Sequence, residues 1–262
     1  QFPLGTRVGA AWIFSACGEC AFCRGGRENL CARFRATGRD AHGGYAEYLA
    51  IPEAFVHSIP EVFSDAQAAP LLCAGAVGYR SLHLAGLQDG HALGLTGFGA
   101  SAHLVLQLAR RLYPRGRVHV FARSSSEQAF ARELGADWAG APSDAPPELL
   151  DAIIDTTPVW TPVVAALARL QPGGRLVINA IRKEDSDRGS LTGLDYFQHL
   201  WMEKSIQSVA NVTRADVREF LSLAAEIPIR PEVQEYPLAD ANQALLDIKQ
   251  RKIRGAKVLR IQ

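Results

Sequence analysis

The chain has 262 residues, 48% of them hydrophobic, and a formal charge of +1 from 28 basic and 27 acidic side chains. That length suits one large domain or two of ordinary size, with enough apolar mass for a real core. Acids and bases interleave, so no basic run exists to displace counterions from a phosphate backbone, and nucleic acid is not an expected partner. No apolar stretch approaches the ~20 residues needed to span a bilayer, and no charged-then-apolar leader marks secretion. A cytoplasmic protein with no membrane partner is expected. The chain opens on Gln1 rather than Met, in what reads as the middle of a strand, so its natural start is expected to lie upstream.

From residue 1 to about residue 55 the chain is Gly-rich and has no helical period, which reads as a compact β domain. Four of its five cysteines, Cys17, Cys20, Cys23 and Cys31, fall here at spacings of three, three and eight. Two successive Cys-x-x-Cys steps turn neighbouring thiolates toward one point, and the longer loop brings the fourth round to close a tetrahedron. Four sulfurs leave no open position, so such an ion is structural zinc. The alternative is four ordinary thiols or labile disulfides, which a reducing cytosol disfavours. Arg24, Arg27, Arg33, Arg35 and Arg39 surround the cluster. They would suit a nucleic-acid-binding ribbon, but they also offset the net charge of minus two that four thiolates leave around a divalent ion. Gly43-Gly44 then leads into residues 45–51, which alternate like a strand entered through a flexible turn.

After Pro70 the texture changes. Ala92–Thr96 reads as a buried strand, and residues 100–113 place Ala102, Val105, Ala109 and Leu112 on one helical face. A strand at 117–122 and a helix at 126–134, ending on Gly135, come next. Strands at 150–154 and 175–179 flank a helix at 162–170. Alternating strands and helices argue for a parallel sheet covered on both faces, a doubly wound α/β domain. Thr213 and Asp216 form a capping box that opens a helix through Ala225. A helix at 239–251 and a strand at 256–261 finish the chain, with no internal repeat and no low-complexity linker.

Gly97-Phe98-Gly99-Ala100-Ser101-Ala102 follows the first strand of the alternating region and opens its first helix. This is the dinucleotide fingerprint with Ala in the third place. The first Gly allows the tight turn, the second lets the backbone approach a pyrophosphate, and free N–H groups at the helix start bind the anion. The next strand ends in Ala122-Arg123-Ser124, where an NAD enzyme carries an acid for the ribose. Arg123 and Ser124 suit a 2′-phosphate, so NADP is expected in preference to NAD. The alternative makes Arg123 a solvated surface residue and leaves the ribose to Glu127.

Taken together, these residues resemble the zinc-dependent alcohol dehydrogenases of the medium-chain dehydrogenase/reductase superfamily. The match rests on Arg7-Val8-Gly9, the four-cysteine lobe, residues 43–48, Pro70-Leu71-Leu72-Cys73-Ala74-Gly75, the turn at 97–103, and Ile253-Arg254-Gly255-Ala256-Lys257-Val258-Leu259. It spans nearly the whole chain and is nearest to a bacterial subgroup with Gly-Phe-Gly-Ala-Ser-Ala-His at the cofactor turn. The resemblance implies a Rossmann domain over residues 74–212 and a partial GroES-like catalytic domain over 1–73 and 213–262. It implies that Cys73 is a ligand of a second, catalytic zinc, and that Arg254 reaches the cofactor pyrophosphate. Cys73 alone would read as a small buried hydrophobe, and Arg254 as a surface residue near a chain end. The reaction implied is hydride transfer between a primary or secondary alcohol, or its aldehyde or ketone, and NAD(P), in a homodimer or homotetramer.

Two features depart from the family pattern. The other catalytic ligands, a Cys and a Gly-His-Glu motif, belong upstream of Arg7-Val8-Gly9, and none of the seven histidines here sits in a matching context. The 262-residue chain is therefore expected to be inactive by itself while its full-length parent is active. Thr156-Thr157-Pro158-Val159-Trp160 is also unusual for the loop near the nicotinamide. The competing functions are a catalytically inactive NADP-binding fragment or scaffold and, more weakly, a zinc-ribbon interaction module.

Overall fold

A computed structural model describes residues 2–227, 229–250 and 254–261. The chain divides into two compact units, Gln1–Val77 with Ala210–Gln262, and Gly78–Val209. No helix among the described residues is long and apolar enough to cross a membrane.

The first unit starts with β1 (Val8–Ala10), β2 (Ile13–Ser15), a short helix α1 (Ala21–Arg24), β3 (Arg35–Ala36) and β4 (Val56–Ser58). β1 pairs antiparallel with β4, and β2 with β3. Gln1 lies outside the described residues, and the chain turns at Leu4-Gly5 before β1, so the opening residues are not the strand expected there. Residues 45–51 are not a strand either. They are irregular, with Tyr45 63% and Tyr48 89% exposed. Alternation makes a strand only where a neighbour completes the ladder, and no described strand pairs with this stretch.

A helix missed in the sequence follows. Ser64 and Gln67 form a capping box that opens α2 (Asp65–Pro70), and the helix runs on through a π turn, Leu71–Gly75, into α3 (Ala76–Ala85). Pro70 brings no N–H and crowds the preceding turn, so widening the helix is the local way to continue past it. Two glycines of the family motifs have packing reasons. A Cβ on Gly9 would come within 2.5 Å of Leu72 Cδ1, and one on Gly75 within 2.4 Å of Phe220 Cε1.

The second unit is the doubly wound sheet. Its elements are β5 (Ala92–Thr96), α4 (Ala100–Leu112), β6 (Arg117–Phe121), α5 (Ser125–Glu133), β7 (Trp138–Gly140), β8 (Leu150–Asp155), α6 (Thr161–Ala168), β9 (Leu170–Ile178) and β10 (Ser205–Ser208). The strand order is β10-β9-β8-β5-β6-β7, parallel throughout. That is the Rossmann strand order with its two halves meeting between β5 and β8, the connection from β9 to β10 running through a 3-10 and a π turn in place of an α-helix. Every residue of β5 is buried, as a strand covered on both faces requires. Phe121, Leu150, Ile153, Val163, Leu167 and Leu176 make the core under α6. The helix expected at 162–170 ends two residues earlier, at Ala168, because Leu170 already begins β9 and pairs with Leu150. Leu112, expected on the buried face of α4, is 36% exposed.

The chain then returns to the first unit through α7 (Arg214–Glu226), β11 (Val233–Pro237), α8 (Ala241–Lys249) and β12 (Ala256–Arg260), with β11 and β12 parallel. The Thr213–Asp216 capping box opens α7 as expected. A 3-10 turn, Leu238–Asp240, replaces the first turn of the expected last helix, whose end at Arg251 lies outside the described residues. Glu28 binds the start of α7: its Oε1 accepts from the Arg214 amide at 2.8 Å and from Arg214 Nε at 3.0 Å. A carboxylate at a helix N-terminus also complements the dipole.

Acid should destabilise this unit. His57 on β4 is 4% exposed, and its Nδ1 finds no partner. Burial, with Arg218 and Arg214 adding repulsion, pushes its pKa down to about 4. Burial raises the Glu28 carboxyl, but the hydrogen bonds and charge of Arg214 outweigh it and hold the group below its usual value. The unfolded state therefore binds more protons than the folded state as pH falls. The contribution of His57 is complete above its unfolded pKa of ~6.5 and is lost as pH falls toward 4, on the order of 3 kcal/mol in total. Glu28 adds a further loss below its unfolded value. Urea titrations at pH 7 and pH 4.5 should show the drop, and His57→Gln should flatten it. An unchanged slope in that variant would refute the assignment.

Candidate cofactor and metal sites

In the cysteine lobe, one sulfur from each of Cys17, Cys20, Cys23 and Cys31 lies within 4.8 Å of all the others. Cys20 is the N-cap of α1, and its sulfur accepts from the Cys23 amide at 3.5 Å. Cys17 Sγ accepts from the Cys20 amide, and Cys31 Sγ from the Arg33 amide, each at 3.3 Å. Amides aimed at sulfur favour thiolates. Backbone N–H groups of Glu19 and Cys20 pull the Cys17 thiol down to about 6, while desolvation and then the other sulfurs push Cys23 up to about 12. Four thiols this close cannot all ionise unless a cation sits among them. A divalent soft-tolerant ion removes that conflict, so the donor set fits zinc.

The surrounding arginines are engaged within the lobe. Arg33 pairs with Glu19 and Arg39 with Asp40. Arg35 donates to the Asp40 carbonyl at 2.7 Å, Arg27 lies over the Phe22 ring, and Arg24 binds the Glu19 carbonyl.

Cys73 sits in the π turn with its side chain exposed. A catalytic zinc takes three protein ligands and an open position. Among the described residues the four-cysteine cluster is the one group of three or more close His, Cys, Asp or Glu ligands, so Cys73 alone does not fit a catalytic centre.

In the second unit Gly97 follows β5 with φ +79°, and a Cβ there would come within 2.8 Å of Thr156 Oγ1. Gly99 is the N-cap of α4, a helix of 13 residues whose first-turn amides, as at any helix start, lack intrahelical acceptors. Both glycines thus stand at the switch point between β5 and β8, at the carboxyl ends of the strands, where open α/β sheets bind ligands. Phe98 is 1% exposed and meets Phe130 edge-on, so it anchors the turn rather than reaching outward. Arg123, just after β6, is exposed and has no hydrogen bond or ion pair among the described residues. Ser124 caps α5: its hydroxyl accepts from the Glu127 amide at 3.1 Å and donates to Glu127 Oε2 at 2.9 Å. Arg254 pairs with Glu232 at 3.0 Å, both about half exposed, and its neighbour Ile253 lies outside the described residues.

The sequence did not single out Asp155 or Lys183, which meet in the second unit at the end of β8. Their one signal was an acid closing the apolar run Ala152-Ile153-Ile154.

A sheet of this order with a glycine turn at its switch point has the doubly wound architecture whose crevice at that point receives dinucleotides in its class. Residues 1–61 match the model of the alcohol dehydrogenase GroES-like domain. The chain is 46% identical over 261 residues to a probable alcohol dehydrogenase AdhA of Mycobacterium tuberculosis, covering 100% of this chain and 73% of that protein. It is 31% identical over 271 residues to an alcohol dehydrogenase of Geobacillus stearothermophilus, covering 100% and 77%. Among solved structures, a cinnamyl alcohol dehydrogenase of Sorghum bicolor superposes with a TM-score of 0.85 at 25% identity, over 99% of this chain and 76% of that one. The chain belongs to the zinc-type alcohol dehydrogenases of the medium-chain dehydrogenase/reductase superfamily.

Proposed function

We propose that the protein interconverts primary or secondary alcohols with their aldehydes or ketones, using NADP in preference to NAD and carrying one structural zinc on Cys17, Cys20, Cys23 and Cys31. The observation that carries the cofactor reading is the Gly97 turn at the switch point, where a Cβ would strike Thr156 Oγ1 and Thr157 Cγ2 and displace the turn. The dinucleotide, when bound, accepts or donates the hydride. The chain's own residues hold it. Gly97 shapes the turn with its own amide held by the Phe121 carbonyl at 2.9 Å, and Phe98, Gly99, Ala100 and Ser101 carry the amides proposed for the pyrophosphate. Arg254, whose exposed ion pair with Glu232 is of the kind worth little, is proposed as a further cofactor-binding cation. Cys73 is proposed as one ligand of a catalytic zinc whose other protein ligands are not found beside it among the described residues.

The preference for NADP is supported by what surrounds the end of β6. Glu127, the acid that would serve an NAD ribose, is bound into the capping box by the Ser124 amide and hydroxyl. Arg123 has no hydrogen bond or ion pair among the described residues and carries the charge a 2′-phosphate needs. Titration should give an NADPH affinity at least about tenfold above that for NADH, with Arg123→Ala removing most of the difference (~1.4 kcal/mol). Equal affinities, or a preference for NADH that the variant leaves alone, would refute the assignment.

A further inference from the structure

A buried charge pair ties together the loops at the carboxyl end of the sheet. Asp155 ends β8 with 0% exposure. Its Oδ1 accepts from Thr96 Oγ1 at 2.6 Å and Thr157 Oγ1 at 2.8 Å, and its Oδ2 accepts from Lys183 Nζ. The Lys183 side chain is 7% exposed, and its ammonium also donates to the carbonyls of Thr157 at 2.7 Å and Val159 at 3.0 Å. Its three donors are thus all used, one on the carboxylate and two on the backbone of the loop 156–160.

The same loop is held from two further sides. Thr156 donates through both its amide and its hydroxyl to the Thr96 carbonyl, each at 2.9 Å. Asp187 accepts from the amides of Trp160 at 3.0 Å and Thr161 at 2.7 Å. The loop also lies against the glycine turn, since Thr156 Oγ1 and Thr157 Cγ2 are the atoms a Cβ on Gly97 would strike.

Apolar residues could fill this space without the desolvation that a buried ion pair costs, so stability alone is a weak reason for the pair. Its position suggests a better one. A dinucleotide lies across the switch point, with its adenosine half toward the end of β6 and its pyrophosphate at the start of α4. The other half then extends over the ends of β8 and β9, where the loop 156–160 stands. We propose that Lys183 is a positioning residue for the dinucleotide. It grips two loop carbonyls and Asp155 together, and so fixes the surface that receives the nicotinamide half. This rests on the cofactor reading above.

Lys183→Met alone would leave a buried carboxylate unpaired, so the informative variant is Asp155→Asn with Lys183→Met. It removes both charges while leaving the loop carbonyls ungripped. Calorimetric titration with NADPH should show at least about tenfold weaker binding than the unaltered protein, with the melting temperature held close to it. The cofactor KM should rise more than kcat falls. A near-normal melting temperature with unaltered NADPH affinity would assign the pair a purely structural role and overturn the proposal. A second measurement needs no variant: NADPH should slow hydrogen exchange at the amides of Thr156, Trp160 and Thr161. Bound NADPH with unaltered exchange there would overturn the proposal as well. Failure of the unaltered protein to bind either NADPH or NADH would instead overturn the cofactor reading itself.

Discussion

Replacing Cys31 with serine is expected to lower the melting temperature by about 10 °C or more and to abolish binding of the zinc ion proposed for the four sulfurs. The four sulfurs lie within 4.8 Å of one another and leave a closed set of ligands. A serine hydroxyl stays protonated and is a poor zinc donor, so three thiolates would remain crowded around a weakened site. The effect should spread beyond the lobe. Cys31 directly follows the 3-10 turn Glu28–Leu30, and Glu28 is the acceptor at the first amide of α7. Loosening the lobe therefore loosens the start of a helix whose Phe220 is fully buried. Elemental analysis after dialysis against a mild chelator, with thermal melts of both proteins, checks this. Absence of zinc in the unaltered protein, or disulfides among the four cysteines, would remove the basis of the prediction.

Gly97→Ala should weaken dinucleotide binding by at least about a hundredfold (~2.7 kcal/mol). Two costs coincide at this residue. Its φ of +79° lies in the left-handed region, which costs an L-residue roughly 1–2 kcal/mol. A methyl group would also stand 2.8 Å from Thr156 Oγ1 and 3.1 Å from Thr157 Cγ2. Neither neighbour gives way cheaply, because Thr156 bonds the Thr96 carbonyl and Thr157 bonds Asp155. The turn itself must shift, and with it the amides proposed to face the pyrophosphate. Affinity measured for NADPH and NADH, beside a melt of each protein, separates lost binding from lost folding. Near-normal affinity in the variant would place the cofactor elsewhere.

Features of the chain that repeat at short range were legible in the sequence. β5, the glycine turn and α4 sit together because a buried apolar run, two glycines and a 3.6-residue apolar face are all local patterns. The cysteine spacing and the Thr213–Asp216 cap are local too. The α2–α3 helix was hidden because Pro70 reads as a break, although Ser64-Asp65-Ala66-Gln67 carried a capping signal. Residues 45–51 misled in the opposite direction, since alternation says nothing about whether a partner strand is at hand. Asp155 and Lys183 lie 28 residues apart and look like ordinary charges on the page. Only the parallel order of β8 and β9 brings them to the same end of the sheet.

The division of the chain bears on how it is made. Residues of the second unit are continuous from Gly78 to Val209, whereas the first is assembled from Gln1–Val77 and Ala210–Gln262. During synthesis the Rossmann sheet can close as soon as β10 leaves the ribosome. The Glu28–Arg214 bond, which spans 186 residues, has to wait for a helix still to be translated. Closing so long a loop through an unfolded chain costs entropy, and a sheet already folded in between shortens the effective loop. The order of the sequence thus favours closing the continuous unit first and completing the unit that bears the four clustered cysteines last.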